Sequence, residues 1–260
     1  MSLKKTFYER RWVSRLFFLG LFALVWAGTA RFSGISPLLL PPPGRVLVAL
    51  WTNLIAGTLL PQALFSLGLI LAALLISAAL ALILGVAGEM SPFLLRMIDA
   101  VSAMAHPLPG LALLPLVVIW FGTGTPAVLA VIVHACLWPL LISFQSGMRD
   151  APPLYAEIGR NLSMSRFSVA IRILLPAAAS QIVSGLRIGW ARAWRALISA
   201  EMVFGAVGKL GGLGWFLFKR RVMMDTAGLF AGILTVALIG MAVEELIFRY
   251  VEKGMEKRAS

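Results

Sequence analysis

Arg149-Asp-Ala-Pro-Pro-Leu-Tyr-Ala-Glu157-Ile-Gly-Arg-Asn-Leu-Ser163-Met-Ser-Arg166-Phe-Ser-Val-Ala-Ile-Arg172-Ile-Leu-Leu-Pro176 is a polar stretch between apolar segments of membrane-spanning length. Its arginines and acids would each cost several kcal/mol at mid-bilayer, so it lies outside lipid. It also carries helix signals. Pro152-Pro153 precedes a short helix, Leu154–Leu162, with Glu157 in an early turn, and Ser163-Met164-Ser165 breaks it. Ser165 caps a second helix, Arg166–Leu174, that Pro176 ends. Phe167, Ala170, Ile171 and Leu174 fall three or four apart and share an apolar face, with Arg166 and Arg172 away from it. Two such helices fit a groove in a soluble partner. On the residues alone they fit equally well as interfacial helices resting on anionic lipid, their arginines snorkelling.

The surrounding chain sets the fold class. Of 260 residues, 60% are hydrophobic and 13% charged, where a soluble domain carries about a quarter charged. Lipid admits only helices and closed barrels, and apolar runs of this length predict an all-α polytopic membrane protein with six transmembrane helices. The net charge of +12 is explained by basic residues flanking the spans and meeting membrane lipid, and no nucleic-acid-binding motif accompanies it. One cysteine, Cys136, permits no disulfide framework within the chain.

Residues 1–14 read as a cytoplasmic N-terminal segment, 15–248 as one six-span domain containing the loop 149–176, and 249–260 as a cytoplasmic tail. Span 1 covers Arg15 to Gly34 and is read as uncleaved. Pro41-Pro42-Pro43 then forces an extended crossing before a short amphipathic helix, Val46–Ile55. Span 2, Pro61–Val86, carries Ser66, Gly68, Ala72, Ala73, Ser77, Ala78, Ala81 and Gly85, small residues that permit close helix contact. A turn at Gly88–Pro92 follows, with Ser91 as N-cap. Span 3, Ile98–Phe121, is broken by Pro107, Pro109 and Pro115, which read as structural kinks facing the bundle interior. Span 4, Ala127–Gly147, is kinked near Trp138-Pro139. Span 5, Gln181–Val207, ends in the glycine-rich run Gly205–Trp215, and span 6 is Ala227–Phe248. Lys4, Lys5, Arg10, Arg11 and Arg15, with the arginines of the opening stretch, place both termini and that stretch in the cytoplasm. Lys209, Lys219, Arg220 and Arg221 then fall outside, against the rule.

Candidate chemistry is sparse. No phosphate-binding Gly-x-x-x-x-Gly-Lys-Ser/Thr occurs, so nucleotide hydrolysis is not expected in this chain. His106 and His134 have no partners at metal spacing, no metal site is expected, and His134 reads as a packed polar residue. No nucleophile–base set suggests an enzyme. Span 5 holds the intramembrane ionisable groups. Arg187 reads as structural, pairing with acids or carbonyls of neighbouring helices or snorkelling, and Glu201 as holding the outer end of the bundle together. Arg192, Arg195 and Trp194 are the substrate-pathway candidates: the two arginines either line a water-filled cavity suited to an anion, or pair with acids or carbonyls of neighbouring helices or snorkel.

Glu157-Ile-Gly-Arg-Asn-Leu-Ser163, nine residues, then Ile173-Leu-Leu175-Pro176, resembles the Glu-Ala-Ala signature of permease subunits of ABC importers. Ile158 and Gly159 stand at the alanines, and Ser163 stands at the motif glycine although serine adopts positive φ less readily. The stretches Ile35–Pro43, Pro107–Gly124, Gly185-Leu-Arg187, Ala193-Trp194, Ala200-Glu201 and Gly212-Leu-Gly214 are similar to the nitrate/sulfonate/taurine branch of that family. The resemblance implies a type I importer permease that forms the pathway for a small, anionic solute of the sulfonate, taurine, nitrate or aromatic carboxylate class. It implies a bacterial inner-membrane location, a second copy of the chain as homodimer partner, and a periplasmic substrate-binding protein. Two ATPase subunits, holding ATP and Mg, would grip cytoplasmic coupling helices, and no cofactor is expected in this chain. Glu157, Ser163, Arg166, Phe167, Ile171, Leu174 and Pro176 would make that coupling. The rival reading is an ion-coupled secondary transporter, for which Glu201 is the one midplane acid candidate.

Overall fold

The computed structural model describes residues 2–208, 211–251 and 254–255, with backbone only for 2–12 and 14–16. Lys209, the far tail and the side chains of the N-terminal basic residues therefore lie outside the described residues. The described chain is helical, with no strand among these residues. Its elements are α1 (Ser2–Phe32), α2 (Pro43–Ile55), α3 (Leu59–Met90), α4 (Pro92–Ala105), a 3-10 turn at Gly110–Leu113, α5 (Leu114–Phe121), α6 (Thr125–Arg149) and α7 (Pro153–Asn161). Next come α8 (Arg166–Val169), a π-helical turn at Ala170–Leu174, α9 (Leu175–Ala177), α10 (Ala179–Phe204), α11 (Leu213–Val222) and α12 (Thr226–Ala242), the last running into a second π turn at Val243–Phe248.

Three helices are individually long and apolar enough to cross a bilayer: Leu59–Met90, Thr125–Arg149 and Thr226–Val251. Two further candidates are bent pairs. Pro92–Ala105 and Gly110–Phe121 meet at 92°, and Arg166–Ala177 meets Ala179–Phe204 at 72°. The described apolar part of α1 is the shorter Phe17–Phe32. Span 3 of the sequence reading is thus a sharp elbow. Pro107 and Pro109 lie in the break, whereas Pro115 sits in the first turn of α5, where a missing N–H is harmless. All three prolines are exposed on this chain, so the interior placement expected of them does not hold within it.

The chain divides into two compact units, residues 1–59 with 216–235, and 60–215 with 236–260. In the first, Trp26 packs its ring on Phe230 at 5.6 Å. Arg220 pairs with Asp225 at 2.8 Å, stacks over Phe216 and bonds the Asn53 side chain of α2. Asp225 also accepts from the N–H of Gly228 at 2.9 Å, capping α12. Lys219, Arg220 and Arg221 belong to a helix, α11, that the sequence reading did not place.

The second unit is built on the antiparallel pair α6 and α10. Gly147 faces Ala178 and Gln181, Gly185 faces Ser143, and Gly189 faces Cys136. A Cβ added at these glycines would lie 2.8, 2.6 and 2.8 Å from the nearest of those side-chain atoms, so the backbones approach as only glycine allows. On α3, Ala63, Ser66, Ile70, Ala73, Ser77 and Ala81 form the buried face, while Leu64, Leu71, Leu75 and Ile83 point outward. Gly68 belongs to the outward face and touches nothing within 4 Å, contrary to its expected contact role. Ser91 stands at the N-cap of α4 but its side chain makes no capping bond, and α3 runs on to Met90, leaving a one-residue joint for the expected turn. Helix α6 continues through Pro139.

Candidate functional site

The opening stretch folds as two short helices docked on the bundle. Val169 and Leu174 join Ala81, Ile98, Leu141 and Phe144 in one buried cluster, so the loop is packed into the core. Ser165 caps α8 by accepting from the Ser168 N–H at 3.2 Å, as expected. Pro176 does not end the helix. The π turn at Ala170–Leu174 comes first, and Pro176 sits inside the next turn, with helix continuing to Ala177. Between α7 and α8, Met164 N–H donates to Gly159 O at 3.0 Å and Ser163 N–H to Arg160 O at 2.9 Å. This paired closure requires a left-handed residue, and Ser163 supplies it with φ 55°. Gly159 is the close-approach point, because a Cβ there would stand 2.6 Å from Val169.

The expected ridge on the second helix is only partly available. Phe167 is exposed and Ile171 half-buried, but Ala170 and Leu174 are buried, because a π turn carries an extra residue that rotates them inward. Leu174 packs the core and cannot be a surface contact. The open apolar ridge is on α7 and its C-cap instead: Leu154, Ile158 and the C-cap Leu162, with Tyr155 beside them. Their spacing of four residues was the signal for it. Glu157 is exposed on the same helix and reaches Arg160 only at 3.9 Å. Arg166 donates to the Met90 carbonyl at 3.3 Å, tying the loop to the end of α3, and Arg149 pairs with Asp99 at 2.8 Å, tying α6 to α4.

The intramembrane polar groups separate into structural and open ones. Arg187 pairs with Glu244 at 3.0 Å. Glu201 is fully buried and accepts from the Ser66 hydroxyl at 3.1 Å and the Gly214 N–H at 2.8 Å, while Ser66 accepts from the Leu213 N–H at 2.9 Å. Cβ atoms on Gly212 or Gly214 would collide with that carboxyl, which explains the glycines. Trp194 is buried, stacked on Trp190 at 5.5 Å and against Gly240, so it is a packing residue and is not among the residues lining the cavities that hold Arg192 and Arg195. Arg192 and Arg195 do line one, of about 410 Å³, together with His106, the Pro107–Leu111 elbow, His134 and Ser199. Arg192 meets His106 Nε2 at 3.3 Å, and Arg195 donates to Ala191 O at 3.0 Å. His134 is fully engaged: Trp138 Nε1–H donates to its Nδ1 at 3.1 Å, so its Nε2–H donates to Leu108 O at 3.2 Å. Among the described residues no three metal-ligating side chains gather.

The family model described as "Binding-protein-dependent transport system inner membrane component" matches residues 80–257. The chain belongs to that family. It is a permease of the ABC importers, of the nitrate/sulfonate/taurine branch. The taurine transport system permease protein TauC of Escherichia coli (strain K12) is 33% identical over 233 residues, 87% of this chain and 82% of the relative. The putative aliphatic sulfonates transport permease protein SsuC of Bacillus subtilis (strain 168) is 24% identical over 246 residues, 95% of this chain and 87% of the relative. The nitrate import permease protein NrtB of Leptolyngbya laminosa is 28% identical over 173 residues, 66% of this chain and 61% of the relative. Permeases of this family are transport components rather than enzymes. In this permease the groups the sequence reading missed are the α7 ridge, Ser66 and His106.

Proposed function

We propose that this permease forms the translocation pathway of an ATP-driven importer for a small anionic solute of the sulfonate, nitrate, taurine or carboxylate class. A periplasmic binding protein delivers the solute. Two ATPase subunits, which hold ATP and Mg, dock on the loop 149–176, and two copies of the permease enclose the pathway. Both termini and the loop face the cytoplasm of a bacterial inner membrane. The observation that carries this reading is the exposed ridge Leu154, Tyr155, Ile158 and Leu162, with Glu157 beside it and Phe167 on the next helix. A solvent-facing apolar ridge on a helix packed into the bundle is what a groove in a soluble partner receives. Closure of the ATPase pair would move α7, and the shared core of Val169 and Leu174 would carry the movement into the spans. Arg192 and Arg195 line the route and attract the anion.

The test is uptake by proteoliposomes holding the permease with its ATPase and binding protein. Import should require internal ATP. Glu157→Lys and Ile158→Asp should leave the permease inserted but strip the ATPase from it and abolish uptake. Uptake that runs on an ion gradient without ATP, or that survives both substitutions, would overturn the reading.

A further inference from the structure

We infer that the cavity at the α4–α5 elbow binds one organic oxyanion within the permease itself, through Arg192 and Arg195, and that it rejects solutes bearing an ammonium group. This deepens the import reading and rests on it. Charges inside a membrane protein pair with one another or face a hydrated cavity. Arg187 is the paired case, because Glu244 in the neighbouring cavity takes it at 3.0 Å. Arg192 and Arg195 line that cavity too, but neither has a carboxylate partner among the described residues. No residue lining the elbow cavity is acidic. Two guanidinium groups thus face one space with unused N–H donors, and their planar forks match the oxygens of a sulfonate or carboxylate.

The rest of the wall refines the ligand. His134 has both nitrogens engaged and offers no acceptor. Ser199, one turn beyond Arg195, adds a hydroxyl. A guanidinium only donates, so Nε2 of His106 accepts from Arg192 and fixes where that side chain points; His106 is a positioning residue. With two cations and no acid, an ammonium group would be repelled. Leu108, Leu111, Pro109, Ala135 and Ala196 give the same cavity apolar wall, and its volume of about 410 Å³ leaves room beyond a bare inorganic anion. The ligand class is therefore a sulfonate or carboxylate with an apolar body.

The permease alone, in lipid nanodiscs, is titrated with radiolabelled benzenesulfonate and challenged with taurine, a sulfonate that carries an ammonium group. One benzenesulfonate should bind per chain and taurine should not displace it at about tenfold excess. Arg192→Ala and Arg195→Ala should each weaken binding about tenfold or more. His106→Phe should weaken it as well, whereas His106→Asn, which keeps an acceptor, should restore it. Ser199→Asp should reverse the preference and admit taurine, a gain that misfolding cannot mimic. Equal displacement by taurine, or unchanged binding in the arginine variants, overturns the inference. If the assembled transporter imports with ATP while the isolated permease binds no sulfonate, the site is wrong and the import reading stands. If the permease binds as described but uptake needs no ATP, the site stands and the import reading falls.

Discussion

Ser66→Ala tests the buried junction of α3, α10 and the glycine-rich turn. The substitution removes a donor to Glu201 and the acceptor for the Leu213 N–H, at a place where both Glu201 and Leu213 are 0% exposed. In a soluble protein, orphaning a buried N–H costs about 1–3 kcal/mol and losing a bond to a charged group about as much. Within membranes, side-chain bonds between helices average only about 0.6 kcal/mol, because the unfolded chain also finds partners. Here Ser66 in an isolated α3 would bond back to its own helix, which favours the smaller figure. Two bonds then give a destabilisation of about 1–2 kcal/mol. Unfolding of the permease in bicelles by added SDS measures it, followed through Trp215, whose ring covers Gly205 and Gly211 in this turn. A double-mutant cycle with Glu201→Gln should show coupling of at least about 0.5 kcal/mol. A Ser66→Ala protein as stable as wild type, or strict additivity in the cycle, would refute the junction.

Three further outcomes follow from the geometry. Ser163→Gly should raise thermal stability by up to about 1 kcal/mol, because φ 55° strains a residue with a Cβ; no gain would contradict the left-handed turn. Gly185→Ala should cost about 1–3 kcal/mol by forcing α10 off Ser143, whereas Gly68→Ala, with nothing within 4 Å, should be neutral or mildly stabilising; equal effects in a thermal-shift assay would argue against the α6–α10 contact. Arg187→Met alone should destabilise more than Arg187→Met combined with Glu244→Gln, since the single change strands one charge; the reverse order would break the assigned pair.

What was legible in the sequence was local. Ser165 as a cap follows from one residue and its helix, and the structure bears it out; Arg187 meets Glu244, and Glu201 meets Ser66 and the Gly214 N–H. What was not legible depends on a neighbour or on a break in helical period. Leu174 falls on the right face only if the second helix is purely α, and one π turn sends it into the core. Trp194 stood beside two open arginines, yet about 100° around the helix from Arg195 and about 160° from Arg192, it meets Trp190 and Gly240. The prolines near 107 announced a break but not its size, because a missing N–H does not say how far the chain will turn. Ser66 was legible only as a small residue at a helix contact; its bonds to Glu201 and the Leu213 N–H were not, since those partners lie on α10 and beyond it.

The π turn at Ala170–Leu174 also makes the loop tolerant of a change in length. In an α-helix each residue advances the azimuth by about 100° and the height by about 1.5 Å. A π turn holds one residue more than the α turn it replaces, so deleting a residue there would let plain α-helix close the gap. Everything N-terminal to the deletion would keep its azimuth, because one turn replaces another; a deletion in the plain helix would instead swing it by about 100°. The turn at Ala170–Leu174 is thus a place where the joint can lose a residue without α7 turning against its partner or the bundle beneath being rebuilt.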